Sequence, residues 1–283
     1  MKRYIRSAVT NPVDEDWDVQ RVIARDPDTT PRVLEMLSNS SDNETLVQVS
    51  VHPNTPIDIL RKFATGNKIF LQRSMANCQH TPPEVLTLLI NVKDSYVWSK
   101  LASNPNTPTE VLSALHYEQP EDIAFRYVDE YLADNENTPE DVLIDIAANC
   151  DPNAARIVAE SANSETAIRT IYERFNESAS ILEYVAKNPH TPEDIIEELA
   201  TSNYYFVRCA IADRTDVSPE LLARLAEDPT SDVLSNVLQN PSTPIETIKK
   251  LIADPKYKHL WQERWIRAAL LQRGIKIPKE AQS

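Results

Sequence analysis

Glycine is almost missing from this sequence, with 2 in 283 residues against 20 prolines. A chain so short of the residue that turns through positive φ does not suit a fold of many tight β-turns or a glycine-rich loop cradling phosphate. No stretch of eighteen consecutive apolar residues occurs, so no ordinary membrane-spanning helix is expected. The opening Met1-Lys-Arg-Tyr-Ile-Arg-Ser7 also lacks the apolar core of a secretion signal, and a soluble, cytoplasmic protein without a membrane partner follows as the expectation. Cysteines are few as well: Cys78, Cys150 and Cys209 stand far apart, with no CxxC or Cys/His cluster. They read as thiols that pack like small hydrophobes. Positive charge is outnumbered, 29 basic residues to 43 acidic for a net charge of -14. That balance disfavours a nucleic-acid partner, whose phosphates demand many Lys and Arg contacts, and better suits a basic protein or peptide.

What the chain does contain is a repeat. Asn104-Pro-Asn-Thr-Pro-Thr-Glu-Val-Leu112 has close copies beginning at His52, Asn188 and Asn240. With the residue three after the threonine as a ruler, the series runs Arg32, Asp58, Glu84, Glu110, Asp141, Ala167, Asp194, Glu220 and Glu246. The steps are 26, 26, 26, 31, 26, 27, 26 and 26 residues, the signature of stacked structural units.

Each unit reads as two short helices. The second follows Thr-Pro, with an acid three residues after the Thr, as in Thr55/Asp58, Thr81/Glu84, Thr107/Glu110, Thr138/Asp141, Thr191/Asp194 and Thr243/Glu246. This pattern predicts a capping box in which the hydroxyl caps a free amide, Pro takes the first helical position and the acid returns a bond. Apolar residues then fall four, five and eight places after the Thr, as at Val111, Leu112 and Leu115, on one helical face. The first helix precedes the Thr and keeps apolar residues ten, six and five places upstream of it, as in Val97, Leu101 and Ala102 or Val207, Ile211 and Ala212. Some six apolar side chains cannot offset the entropy of ordering about 26 residues, so every unit must bury itself against its neighbours. The expected organisation is an N-terminal capping segment over 1–16, a repeat solenoid over 17–256 and a C-terminal capping helix with its tail over 257–283, the helix stopping at Gly274.

The pattern breaks in mid-chain. The 31-residue step inserts an aromatic-rich stretch over 117–127, and the next unit, around Ser164, lacks its Pro and its acid. Those two units are the expected place for a bend or a specialised contact.

The recurring Pro-Asn-Thr-Pro turn, the acid, the leucine-rich helix and a segment such as Val207-Arg-Cys-Ala-Ile-Ala212 together resemble the leucine-rich repeat variant (LRV) family, over roughly residues 17–274. The resemblance implies an all-α, right-handed superhelical α-solenoid of about nine ~26-residue two-helix repeats, akin to HEAT repeats. Some members of that family carry a cysteine-ligated iron–sulfur module ahead of the repeats. Here no cysteine precedes Cys78, so that cofactor is not carried over and none is expected.

No catalytic motif stands out. His52, His80 and His190 occupy turn positions that other units fill with Asn or another small polar residue, and the repeated acids are absorbed by their capping boxes. There is no G-x-S-x-G, no phosphate-binding loop and no H-E-x-x-H. What varies from unit to unit is the trio of positions nine to seven before the Thr, in the first helix. Arg73, Trp98, Lys100, Tyr131, Arg156, Tyr184 and Arg208 fall in that trio, and aromatic and Arg side chains are frequent interface anchors. The expected function is therefore a non-catalytic scaffold binding a protein or peptide, or a second copy of the chain, through these residues. The competing expectation for the same residues is internal: aromatics packed between units and arginines paired with acids of the next. Other readings are a nucleic-acid-handling helical repeat, or a HEAT-like lyase or glycosylase with a pocket between residues 117 and 167.

Overall fold

The computed structural model describes residues 12–14, 16–120, 127–257, 270–271 and 273–275. Most of the expected N-terminal cap, the centre of the 117–127 insertion and most of the C-terminal helix lie outside these residues. Among the described residues there are eighteen α-helices, two short 3₁₀ turns and no strand, and no helix is long and apolar enough to cross a membrane. The chain forms two compact units, residues 1–143 and 144–283.

In the first unit the helices alternate as expected. The first helices of successive repeats are α1 (Trp17–Arg25), α3 (Asn43–Val51), α5 (Ile69–Asn77), α7 (Ser95–Ser103) and α9 (Val128–Asp134). Between them run α2 (Pro31–Leu37), α4 (Ile57–Ala64), α6 (Pro83–Leu89) and α8 (Thr109–Tyr117). Each odd helix packs on the next odd one, α1 on α3 and so on to α9, and also touches its sequence neighbours. Helix α10 (Glu140–Asn149) contains the division between the units. In the second unit α11 (Pro152–Ser161), α13 (Ala179–Lys187), α15 (Tyr205–Asp213) and α17 (Ser231–Gln239) pack in the same serial way. They alternate with α12 (Glu165–Arg174), α14 (Glu193–Leu199), α16 (Pro219–Leu225) and α18 (Ile245–Ala253).

The expected apolar positions are interior. Val111, Leu112 and Leu115 on α8, Val97, Leu101 and Ala102 on α7, and Val207, Ile211 and Ala212 on α15 are all buried. Gly274 adopts φ 71°, the left-handed conformation of a helix stop, with the Ile275 N–H bonded to the Leu270 carbonyl at 2.9 Å.

The capping box is a correction. In five repeats the residue capping the second helix is the proline itself, Pro56, Pro82, Pro108, Pro192 or Pro244, which pushes the threonine one place too far back to reach a free amide. Its hydroxyl turns backward and donates to a carbonyl six residues earlier in the last turn of the first helix: Thr55 to Val49, Thr107 to Leu101, Thr138 to Leu132 and Thr243 to Val237, at 2.6–2.7 Å. Hydroxyls cap forward from residues that are themselves the N-cap: Ser164, followed by Glu165, accepts the Ala167 N–H, and Ser218, standing where other repeats have the capping proline, accepts the Leu221 N–H. The first-turn acids face solvent, where the helix dipole favours them, and pair sideways. Arg61 bridges Asp58 and Glu84 of the next repeat, and Arg169 reaches Asp194.

In four turns the opening residue is an asparagine that ties one repeat to the one before. Asn104 Nδ2 donates to the carbonyls of Ala76 and Cys78 at 2.9 and 3.1 Å, and its Oδ1 accepts the Asn106 N–H at 3.0 Å. Asn135 repeats this on Ala102 and Asn104. In the second unit Asn188 reaches Ala159 and Ala162, and Asn240 reaches Ala212 and Arg214. The position tolerates other donors of suitable reach: His52 contacts the Asp26 carbonyl, Cys78 the Val51 carbonyl, and Arg214 the carbonyls of Ala186 and Asn188. Arg273 makes the same kind of contact to Asn240 and Thr243. These acceptors lie at or just beyond the ends of first helices, whose last carbonyls have no partner within the helix.

Candidate functional site

Nine places before the Thr, the side chain points inward. Leu46, Leu182 and Leu234 occupy this position and are buried, as are Gln20, Gln72 and Ala155. Trp98 is there too, with 0% of its surface exposed. Where the residue is polar, it bonds the end of the element preceding its helix. Gln72 Nε2 donates to the Ala64 and Gly66 carbonyls at 2.9 and 2.8 Å, Trp98 Nε1 to Ile90 at 3.2 Å, Arg208 Nη1 to Ser202 at 2.7 Å and Gln20 to Val13 at 3.1 Å. Asp129 holds the same position as an acceptor, taking bonds from His116 Nδ1 at 2.8 Å and Gln119 Nε2 at 2.6 Å.

Two of the expected anchors are therefore reassigned. Trp98 is a core residue that also caps α6, and a buried indole offers a partner no surface. Arg208 is committed internally: besides Ser202, it holds Asp228 through two bonds of 2.6 and 3.1 Å and reaches Thr230 at 3.1 Å. Burial works to raise the Asp228 carboxyl, but the bonds from Arg208 and the Thr230 N–H outweigh it and hold it below its ordinary value.

The next two positions, eight and seven before the Thr, carry the more exposed side chains, and the other five expected residues sit there. Arg73 grips Asp94, the acid capping α7, at 2.7 and 3.1 Å. The hydrogen bond from Arg73 keeps the Asp94 carboxyl below its usual value. Arg21 does the same to Asp42 at 2.8 and 2.9 Å, with the same effect on that carboxyl. So the competing internal reading holds for these arginines, each pairing with an acid of the next repeat. Arg73 also lies 5.6 Å from the ring centre of Tyr96, and Lys100 approaches the same ring at 5.4 Å. Tyr96, 46% exposed between two cations, is an exposed aromatic that sequence reasoning missed, because it lies outside the trio of variable positions. Tyr131 is 43% exposed on α9. In the second unit Arg156 pairs with Glu160 at 3.0 Å and lies 5.3 Å from the ring centre of half-buried Tyr184. At position −8 in that unit also stands Cys209, whose thiol is pushed up to about 11, chiefly by burial.

Cys78 contacts the Val51 carbonyl of the preceding repeat and Cys150 the nearby Ala147 carbonyl, and the three thiols stand in separate repeats. This donor set does not fit an iron–sulfur module.

No protein-family model matches the chain, and no curated protein matches it. Among solved structures, the crystal structure of an engineered protein aligns over 100% of this chain and 98% of that one, at 14% identity and a TM-score of 0.34. A likeness at that level carries no argument about fold or function.

Proposed function

We propose that this chain is an α-solenoid of about nine two-helix repeats of the LRV kind, wound as a right-handed superhelix, and that it serves as a non-catalytic scaffold for a protein or peptide. The observation that carries this reading is the pairing of cations with tyrosines on the first helices: exposed Tyr96 between Arg73 and Lys100, and half-buried Tyr184 beneath Arg156. With Tyr131 these make rigid amphipathic contact area beside hydrogen-bond donors, the side-chain types that dominate binding energy at interfaces. The net charge of -14 favours a partner that is basic overall.

Affinity capture with the full chain from its native cell, followed by identification of what is retained, is the test. A partner held by the wild type should be lost, or weakened at least tenfold, by Tyr96→Ala with Lys100→Ala, by Tyr131→Ala, or by Tyr184→Ala, in variants whose helical content is unchanged. Retention by all three would rule out these tyrosines as contacts, and a wild-type chain that retains nothing above background would end the scaffold reading.

A further inference from the structure

Of the nine positions equivalent to the turn threonine, eight carry a hydroxyl, and only Val217 is apolar. A groove of about 270 Å³ lies at that departure, between the N-terminal halves of α14 and α16. It is lined by the buried apolar Ile196, Val217 and Leu221, which form its floor beside Thr191 and Ser218, and by the more exposed carboxylates of Glu193, Glu197 and Asp216, which form its rim. A threonine at 217 would direct its hydroxyl back to the carbonyl of Ile211, as the other repeats do; valine leaves a methyl-lined floor instead.

The rim is only partly neutralised. Asp216 is paired with Arg214 at 2.6 and 2.9 Å, but that guanidinium is itself buried and engaged with the carbonyls of the preceding repeat. Glu197 pairs with Arg224, and both side chains are substantially exposed, so solvent competes for that bond and an incoming cation can exchange with it. Glu193 forms no ion pair among the described residues and is exposed. Apolar floor and acidic rim match the two ends of one kind of side chain, a long aliphatic stem carrying a cation, which buries its methylenes and keeps its charge at the edge.

We infer that this groove is a subsite for a lysine or arginine side chain of a basic peptide segment in the partner. The inference rests on the scaffold reading above and names the chemistry of one contact within it.

The probe is a labelled decapeptide of alternating lysine and alanine, titrated against the full chain at low salt by fluorescence anisotropy, with its lysine-acetylated form as control. Binding should be saturable, at least tenfold weaker for the acetylated peptide, and at least tenfold weaker for Glu193→Gln with Glu197→Gln. The matched pair Glu84→Gln with Glu110→Gln should stay within twofold of wild type. In methyl-labelled wild-type protein, the peptide should shift the Ile196, Val217 and Leu221 methyl signals, a readout that does not depend on any variant folding. Equal losses in the two double variants, or shifts spread evenly over the acidic surface, would overturn the subsite as diffuse charge attraction. Loss of partner capture in the tyrosine variants with full retention in Glu193→Gln/Glu197→Gln would sink the groove and leave the scaffold standing.

Discussion

Asn104 Nδ2 lies 2.9 Å from the carbonyl oxygen of Ala76, twenty-eight residues earlier and one repeat back. Asn104 is buried, so this amide, with its second bond to Cys78 and its acceptance of the Asn106 N–H, leaves little of its polarity unpaired. Where this turn position carries such a donor, it closes the end of the first helix in the preceding repeat.

Asn104→Ala should cost about 2–3 kcal/mol, because two carbonyls and one N–H lose a buried partner together. Urea denaturation of the variant should show a lower midpoint. A change within error would mean that water replaces the amide without penalty.

The arginine clamps set an acid dependence. In the folded chain the Asp42 carboxyl lies below its ordinary 3.8, first because Arg21 donates to it. A depressed folded value stabilises the fold above the unfolded value and loses that contribution as pH falls through the folded one. Arg21→Gln removes the largest cause of the depression and leaves the bonds from Thr45, so the variant should be less stable at neutral pH and should unfold at a higher pH on acidification, followed by far-UV circular dichroism. Acid unfolding at the wild-type pH would contradict this.

Trp98 shows how polarity disguised a core position. Trp98→Ala should cost about 3–5 kcal/mol through the cavity it leaves. Trp98→Leu should cost under about 2 kcal/mol, because other repeats fill the same place with Leu46, Leu182 and Leu234. Thermal melts of the pair decide it, and equal losses would argue against a common packing site.

Val217→Thr should stabilise by about 0.5–1 kcal/mol if the new hydroxyl finds the Ile211 carbonyl, and Thr107→Val should cost a similar amount. Chemical denaturation of the two, measured side by side, should give opposite signs.

The helix pairs were legible because their apolar spacing is regular, and the positions predicted at Val97, Leu101, Val111, Leu112 and their equivalents are buried. The inward position nine before the threonine was not, because its occupants run from Leu and Trp to Gln, Asp and Arg; the polar ones meet helix ends, which composition does not reveal. The capping box misled for a related reason. Thr-x-x-acid fits both directions of capping, and a proline that takes the N-cap place itself decides for the backward one, as the contrast with Ser164, which is followed by Glu165 and is its own helix's N-cap, shows. The turn asparagines read as local turn formers, and half of their role is local. The other half depends on a neighbour 26 to 33 residues away, a distance at which only the fold brings the partners together.

Coupling of a repeat to the one before it through such a turn is tested most directly by native-state hydrogen exchange on Asn188→Ala. The Asn188 side chain reaches Ala159 and Ala162 in the preceding repeat. Protection should therefore fall at the end of α11, including the Ala162 N–H bonded to Val158, as well as in α13. Faster exchange confined to residues 188–191, with the end of α11 as protected as in the wild type, would contradict it.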